Sequence, residues 1–372
     1  MTRNARLVAV VGLALAGCGS TAAQVTAHAA STAKPTRCDV TVADTLRDIA
    51  QRTYTQAAAG RDATGAAARV ERSPQLAAAV AAQDPAAVRA ALAPLLRAAI
   101  KRIVITDGGH VLADVGDQTA IAPISGTLAR GGTFTLADST ATGFAKLLHA
   151  LTNDGVVVRA GDRVLANDPS TRPTAVTTTL PGTAFPAGPL TIELRTPAAN
   201  RALCGPDAAT NTIAAVARRV YRGEQSGGAT QAVLRTVAHN PTFARAVATD
   251  DPAALRAQIV RFFQDPALHV VRIRAVTRGG RLVNDVGGPY VLAPASAPVE
   301  LHGRTVGKVT LSIQDDTGYM KLVRRFTGAG IVLRSGNTVV PGSTTTHGAA
   351  HVVRYTVGRF PTGRLHVTLL VP

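Results

Sequence analysis

The sequence predicts an α+β chain made of one unit used twice, each copy an antiparallel sheet preceded by N-terminal helices. Three observations carry this. Residues recur in matched pairs at a nearly constant offset along 372 residues, a length that by itself suggests two domains. In each copy an Asp-Pro pair opens a stripe of apolar residues at helical spacing. Each copy then places strand-like runs on both sides of a Gly-Gly turn, the pattern of a hairpin.

The elements follow in order. Leu46, Ile49 and Tyr54 match Ile213, Val216 and Tyr221 on the first helix of each copy. Ser73-Pro74 matches Asn240-Pro241, and Asp84-Pro85 matches Asp251-Pro252. Asp suits a helix N-cap, and Pro suits the first helical position. Behind the second pair, Val88, Leu92, Leu95 and Leu96 match Leu255, Ile259, Phe262 and Phe263, an amphipathic stripe in both copies. Runs at 102–106 and 270–276 lead into the turns Asp107-Gly108-Gly109-His110 and Arg278-Gly279-Gly280-Arg281. The return strands end in Asp114-Val115-Gly116 and Asp285-Val286-Gly287. A residue shared by otherwise diverged copies more often holds a turn than binds a ligand, so Asp114 and Asp285 read as structural. Later matches join 143–147 to 318–322, 156–159 to 331–334 and 185–190 to 360–365.

The clearest local signal is the stretch 305–326. Val309, Leu311 and Ile313 alternate with Lys308, Thr310 and Ser312, as in a strand with one buried face. Tyr319, Leu322, Val323 and Phe326 then recur at three- and four-residue steps, as in a short helix. Asp315 and Asp316 stand at the junction, where carboxylates cap a helix and oppose the positive end of its dipole.

This element order resembles that of the Cache (extracellular PAS-like) sensor domains of bacteria. The Gly-Gly hairpin with its Asp-Val-Gly return and the strand–Asp–Asp–Gly–Tyr–helix segment add to the likeness. Taken over both copies, 38–200 and 201–372, the resemblance implies two tandem Cache-like domains. It also implies extracytoplasmic binding of small molecules in a pocket on the sheet face, and it brings no catalytic residues.

Arg3 and Arg6 precede an apolar run at 7–17, so 1–17 reads as a secretory leader, too short to persist as a membrane span. Leu15-Ala16-Gly17-Cys18 resembles the lipobox of bacterial lipoproteins, which implies cleavage before Cys18 and lipidation of its sulfur. An ordinary leader with an incidental Cys18 is the competing reading. Residues 18–37, rich in Ala, Ser and Thr, read as a lipidated start and tether. The body is therefore expected outside the cytoplasm, held to the outer face of the membrane by lipid. Cys38 and Cys204 then remain, each just ahead of the first helix of its copy. A disulfide between them is expected in an oxidising compartment, and two separately buried thiols are the alternative.

The net charge is +17, and loss of Arg3 and Arg6 with the leader leaves +15. Such a charge favours phospholipid headgroups, wall polymers or acidic ligands. The arginines are scattered and aromatics make up only 3%, which argues against stacking platforms for nucleic acid.

The copies differ where a ligand is expected. The first copy lacks the paired carboxylates of Asp315 and Asp316, and Tyr290 aligns with Thr119. The candidate pocket therefore falls in the second copy. Asp315, Asp316, Tyr319, Lys321 and Tyr290 would offer acceptors, phenols and an ammonium, and Arg272 and Arg274 would offer fixed donors for a carboxylate. The competing reading makes the acids helix caps, Tyr319 core and the arginines solvated.

The sequence has no Gly-x-Ser-x-Gly elbow and no phosphate-cradling Gly-x-x-x-x-Gly-Lys loop. His347 and His351 have the spacing of helical metal ligands, but Gly348 and the upstream Pro341-Gly342 make the segment a loop entering a strand. No metal or other cofactor is expected. Adjacent carboxylates on a strand end point apart, so Asp315 and Asp316 make a poor acid/base pair, and an enzyme is not expected. The expected function is a lipid-anchored extracytoplasmic ligand-binding or sensory lipoprotein recognising a small polar molecule. Signalling would need a membrane partner such as a receptor kinase or a transporter. The alternative is a non-catalytic envelope protein whose basic surface adheres to anionic lipid or wall polymer.

Overall fold

The computed structural model describes residues 34–97, 100–344 and 350–372; the leader, Cys18, the tether to residue 33 and His347 lie outside the described residues. The first half opens with α1 (Arg37–Ala59), α2 (Arg61–Glu71), α3 (Pro74–Ala81) and α4 (Pro85–Arg97). Then come β1 (Arg102–Asp107), β2 (His110–Gly116), β3 (Ala120–Ile121), β4 (Ile124–Thr127), β5 (Thr133–Ala137) and β6 (Ser139–Thr140). Helix α5 (Ala141–Thr152) precedes β7 (Gly155–Ala160), β8 (Arg163–Asp168), β9 (Thr174–Ala184) and β10 (Gly188–Pro197).

The second half repeats the order. It has α6 (Ala208–Ser226), α7 (Gly228–Ala238), α8 (Pro241–Ala248) and α9 (Pro252–Gln264), then β11 (Arg272–Thr277), β12 (Leu282–Gly287), β13 (Ala295–Leu301) and β14 (Arg304–Ser312). Helix α10 (Asp316–Thr327) precedes β15 (Gly330–Ser335), β16 (Thr338–Val339), β17 (His351–Gly358) and β18 (Arg364–Val371).

The architecture is α+β with antiparallel sheets. Each half holds two sheets rather than the single one expected from sequence, and four helices precede the first. The first sheets have matching orders, β2-β1-β5-β4 and β12-β11-β14-β13. The second sheets share a four-strand core, β8-β7-β10-β9 and β16-β15-β18-β17, extended in the first half by β3 and β6. The split has a local cause. Helices α5 and α10 carry the chain away from the first sheet, and the strands after them pair with their own neighbours through tight turns at Gly161 and Gly336.

Each first sheet is covered by its helices. Val70, Leu76 and Leu92 pack on Ile103, Ile105 and Leu136, and Val237, Phe243 and Ile259 pack on Ile273, Val309 and Leu311. The Asp-Pro starts cap as expected. Asp84 accepts from the amides of Ala86 and Ala87, and Asp251 from those of Ala253 and Ala254. On β14 the expected outward face is covered in part: Lys308 is exposed, but Thr310 and Ser312 are buried, and their hydroxyls bond to Ser296 Oγ and to the Gln314 carbonyl.

The two halves share contacts as well as element order. Arg102 donates through Nε and Nη2 to both oxygens of Asp114, and Arg272 does the same to Asp285. The guanidiniums lie over Phe185 and Phe360, 4.7 and 4.5 Å from the ring centroids. Gly116 and Gly287 follow on the return strands at φ +124° and +130°, where a Cβ would run into the carbonyl of Lys101 or Val271. Tyr54 meets Phe144 edge-on, and Tyr221 meets Tyr319 in the same way. Both Asp-Val-Gly returns thus lock a hairpin to a distant turn, as their presence in both copies suggested.

Burial pushes the Asp285 carboxyl up, but its bonds to Arg272 and Arg274 outweigh this and hold it below the ordinary value. That contribution to stability is present above the unfolded-state carboxyl pKa and is lost as pH falls through the depressed native one. Asp285→Ala should therefore cost about 2 kcal/mol at neutral pH by urea unfolding, the scale of hydrogen bonds to a charged group, with a gap that narrows in acid. Asp114→Ala should cost less, because the Asp114 side chain is 38% exposed against 18% for Asp285.

Cys38 and Cys204 form a disulfide across a sequence separation of 166, with Cα atoms 5.5 Å apart. It ties the start of α1 to the segment ahead of α6. Closing so long a loop is worth at most about 5 kcal/mol. Reduction should lower the melting temperature of the mature protein and change its mobility between reducing and non-reducing gels.

Candidate functional site

The residues singled out in the second copy are held mainly by the fold itself. Asp315 is the N-cap of α10, and its carboxylate accepts from the Gly318 amide. Asp316 is 6% exposed and accepts from the backbone amide of Val291 at 3.1 and 3.2 Å. Burial, aided by Asp315, raises its carboxyl to about 6 against the pull of Val291, Leu292 and Arg272. Tyr319 is fully buried, with its hydroxyl donating to the Ala217 carbonyl and lying 3.4 Å from the Tyr355 hydroxyl. Lys321 is exposed on α10.

Arg272, Arg274 and Tyr290 do come together, around Asp285. Arg272 uses a third nitrogen, Nη1, to donate to the Tyr290 carbonyl at 2.9 Å, and Arg274 reaches Asp285 at 3.2 Å. This cluster clamps β11 and β12, the loop after them and the turn carrying Phe360 to one another. The three nitrogens of Arg272 and both oxygens of Asp285 are used within the protein, while the Arg274 side chain stays 30% exposed.

An open arrangement lies instead where the halves join. Helices α1 and α6 run side by side in the same direction, their starts tied through the disulfide. Val42, Leu46 and Ile49 share one buried cluster with Ala214, Val216, Ala217 and Val220. Each helix also reaches the end of a helix in the other half. Arg219 of α6 donates from Nη1 to the Leu151 carbonyl at the C-terminus of α5, at 3.1 Å. Arg52 of α1 lies against Gly328, the left-handed C-cap of α10. A cation at each helix C-terminus answers the negative dipole end.

The residue after the C-cap of α5 sets the chemistry. Asn153 turns the chain at φ +66°, and Asp154 follows, 1% exposed. The hydroxyls of Thr196 and Thr152 stand beside the Asp154 carboxyl and act on it as weak hydrogen-bond partners, but among the described residues neither of its oxygens has a partner at ordinary hydrogen-bond geometry. Asp154 and Thr196 face a hollow of about 40 Å³ walled by Leu46, Thr152, Arg172 and Arg219 among others. Such a volume admits a group of about the size of one water molecule. Burial raises the Asp154 carboxyl to about 7, against the pull of Thr196, Arg219 and Thr152. Burial also lowers the pKa of Arg219, opposed by Asp154 and reinforced by Arg222 and Arg172.

Beside this hollow lies a cleft of about 240 Å³ that shares Asn200, Leu203, Ala215 and Arg219 with it. Arg218 and Arg222 of α6 and Asn211 line the cleft, and none of its lining residues is acidic. Arg218 stacks on Tyr355, 4.6 Å from the ring centroid. These residues escaped the sequence reading, although the alignment of the copies holds their signal. Where α6 has Arg218, Arg219 and Arg222, α1 has Gln51, Arg52 and Thr55, and where the first half has Asp154 the second has Ala329.

Comparison of the chain with protein-family models, curated proteins and solved structures gives no match. The site therefore rests on its own geometry.

Asp154 binds a proton in the native state that the unfolded chain releases from an ordinary value of 3.8, so between about 4 and about 7 stability falls as pH rises. Asp154→Asn should remove most of this fall, which is at most about 4 kcal/mol. Urea unfolding of both proteins at pH 5 and pH 8 checks it: the variant should gain on the wild type at the higher pH.

Proposed function

We propose that the protein is a non-catalytic, lipid-anchored extracytoplasmic binding protein of two tandem Cache-like repeats. It takes a small polar ligand at the junction of its halves. The observation that carries this reading is Asp154. A buried carboxyl answered only by two loosely placed hydroxyls costs stability, so its presence on one side of the junction alone argues for a use. A ligand in the adjoining cleft that places a donor in the hollow satisfies it. The aligned Ala329 shows that the same helix–strand corner is built without an acid.

Among the described residues, no helix is long and apolar enough to cross a membrane. Attachment through lipid on Cys18 then brings the protein to the membrane, and any signal passes to a membrane-bound receptor or transporter. A second reading, adhesion to anionic lipid or wall polymer, is favoured by the net charge of +17.

Thermal-shift screening of small polar solutes against the mature protein separates the two. A ligand at about a hundred times its Kd stabilises by about 3 kcal/mol, and Asp154→Asn should abolish that rise. Salt-sensitive sedimentation with anionic vesicles and no response to any solute would favour adhesion. Cys18→Ala should release the protein from the membrane fraction, and unchanged fractionation would count against the lipid anchor.

A further inference from the structure

We infer that the ligand of the junction carries an anionic oxygen-bearing group, a phosphate or a carboxylate, seated on Arg218, Arg219 and Arg222. The inference rests on the reading of the junction as a ligand site and adds the chemical class.

Three guanidiniums at positions i, i+1 and i+4 of α6 border one cleft of about 240 Å³, together with the amide side chains of Asn200 and Asn211. No carboxylate lies among the lining residues to neutralise them. Arg218 is held by its stacking on Tyr355, which leaves the edge of its planar group for a bidentate contact. Arg219 is held at the other side by the Leu151 carbonyl. Its charge is costly there: burial and the neighbouring Arg222 and Arg172 all work against it. Asp154 answers that charge only in part, because its own burial favours the protonated form near neutral pH. The cleft is thus net positive, with Arg219 partly buried and hydrogen-bonded, Arg218 stacked on a ring, and Arg218 and Arg222 exposed to an incoming ligand. An anion is the occupant that relieves the repulsion, and the cleft holds a phosphate or carboxylate with a few attached carbon atoms.

The cluster is not needed to build the helix. The corresponding positions of α1 carry Gln51, Arg52 and Thr55, all exposed, and α1 forms its helix and its buried seam without a second arginine there. Those residues also supply the test. Arg218→Gln with Arg222→Thr gives α6 the side chains that α1 already bears at these positions, so the variant is expected to fold.

Isothermal titration of the mature protein at low salt with inorganic phosphate and with succinate reads binding of free anions. Flotation with vesicles of phosphatidylglycerol or phosphatidylcholine reads the same chemistry on a lipid. Binding of phosphate or succinate that weakens at least tenfold in the double variant supports a soluble anion. Arginine-dependent flotation with phosphatidylglycerol alone supports a headgroup. Vesicle binding indifferent to the double variant, without anion binding, overturns the inference. A neutral or cationic solute that binds through Asp154 and ignores the arginines overturns it while leaving the junction site standing. No binding of any solute or vesicle would remove both.

Discussion

The packing of α1 against α6 is the constraint on which the rest of the molecule depends. Val42, Leu46, Ile49, Val216 and Val220 are each 6% exposed or less in that seam. Fully burying a side chain of this kind is worth about 1.5–3 kcal/mol, so the seam outweighs the disulfide at its end. The bridge fixes the register of the two helices, and apolar contact supplies most of the hold. Because the seam sits between the halves, their second sheets and the corners after α5 and α10 all take their places from it. Arg52 and Arg219 belong to the same arrangement: Arg219 bonds the last turn of α5, and Arg52 lies against the C-cap of α10.

What was legible in the sequence was local. Asp84-Pro85 and Asp251-Pro252 announced helix starts because capping and proline geometry act within one turn. The Gly-Gly hairpins were readable for the same reason. The stretch from Val309 to Phe326 formed the strand and helix its two periods indicated. The fate of Thr310 and Ser312 was not legible, since alternation alone does not show that their hydroxyls find partners in Ser296 and the Gln314 carbonyl and stay buried. The polar cluster around Arg272 was found from sequence, but its inward use was not. Whether a guanidinium faces a ligand or a neighbouring strand is decided by tertiary partners, here Asp285 and the Tyr290 carbonyl. Asp154 was missed because a lone acid after a helix reads as a surface turn until α1 and α6 close over it.

The electrostatics of the junction explain why its charges sit where they do. A buried carboxyl and a buried guanidinium each lose hydration, and neither recovers it fully from the other. Arg219 spends one donor on a helix end and keeps its remaining capacity turned toward the cleft. The clamp of Arg272 and Asp285 makes the contrast plain, since two oxygens there face two donors and the shared charge is closed on itself. One site is balanced and holds a turn in place. The other is left unbalanced at a boundary that both halves build.

The difference between Asp154 and Ala329 has a consequence for stoichiometry. Two identical subunits meeting through this helix pair would display either a pair of acidic corners or none, since symmetry copies every substitution. Fusing the units into a single polypeptide lifts that requirement, and each corner is free to change alone. The result is one polarised recess per molecule, where a symmetric pair would carry two or none.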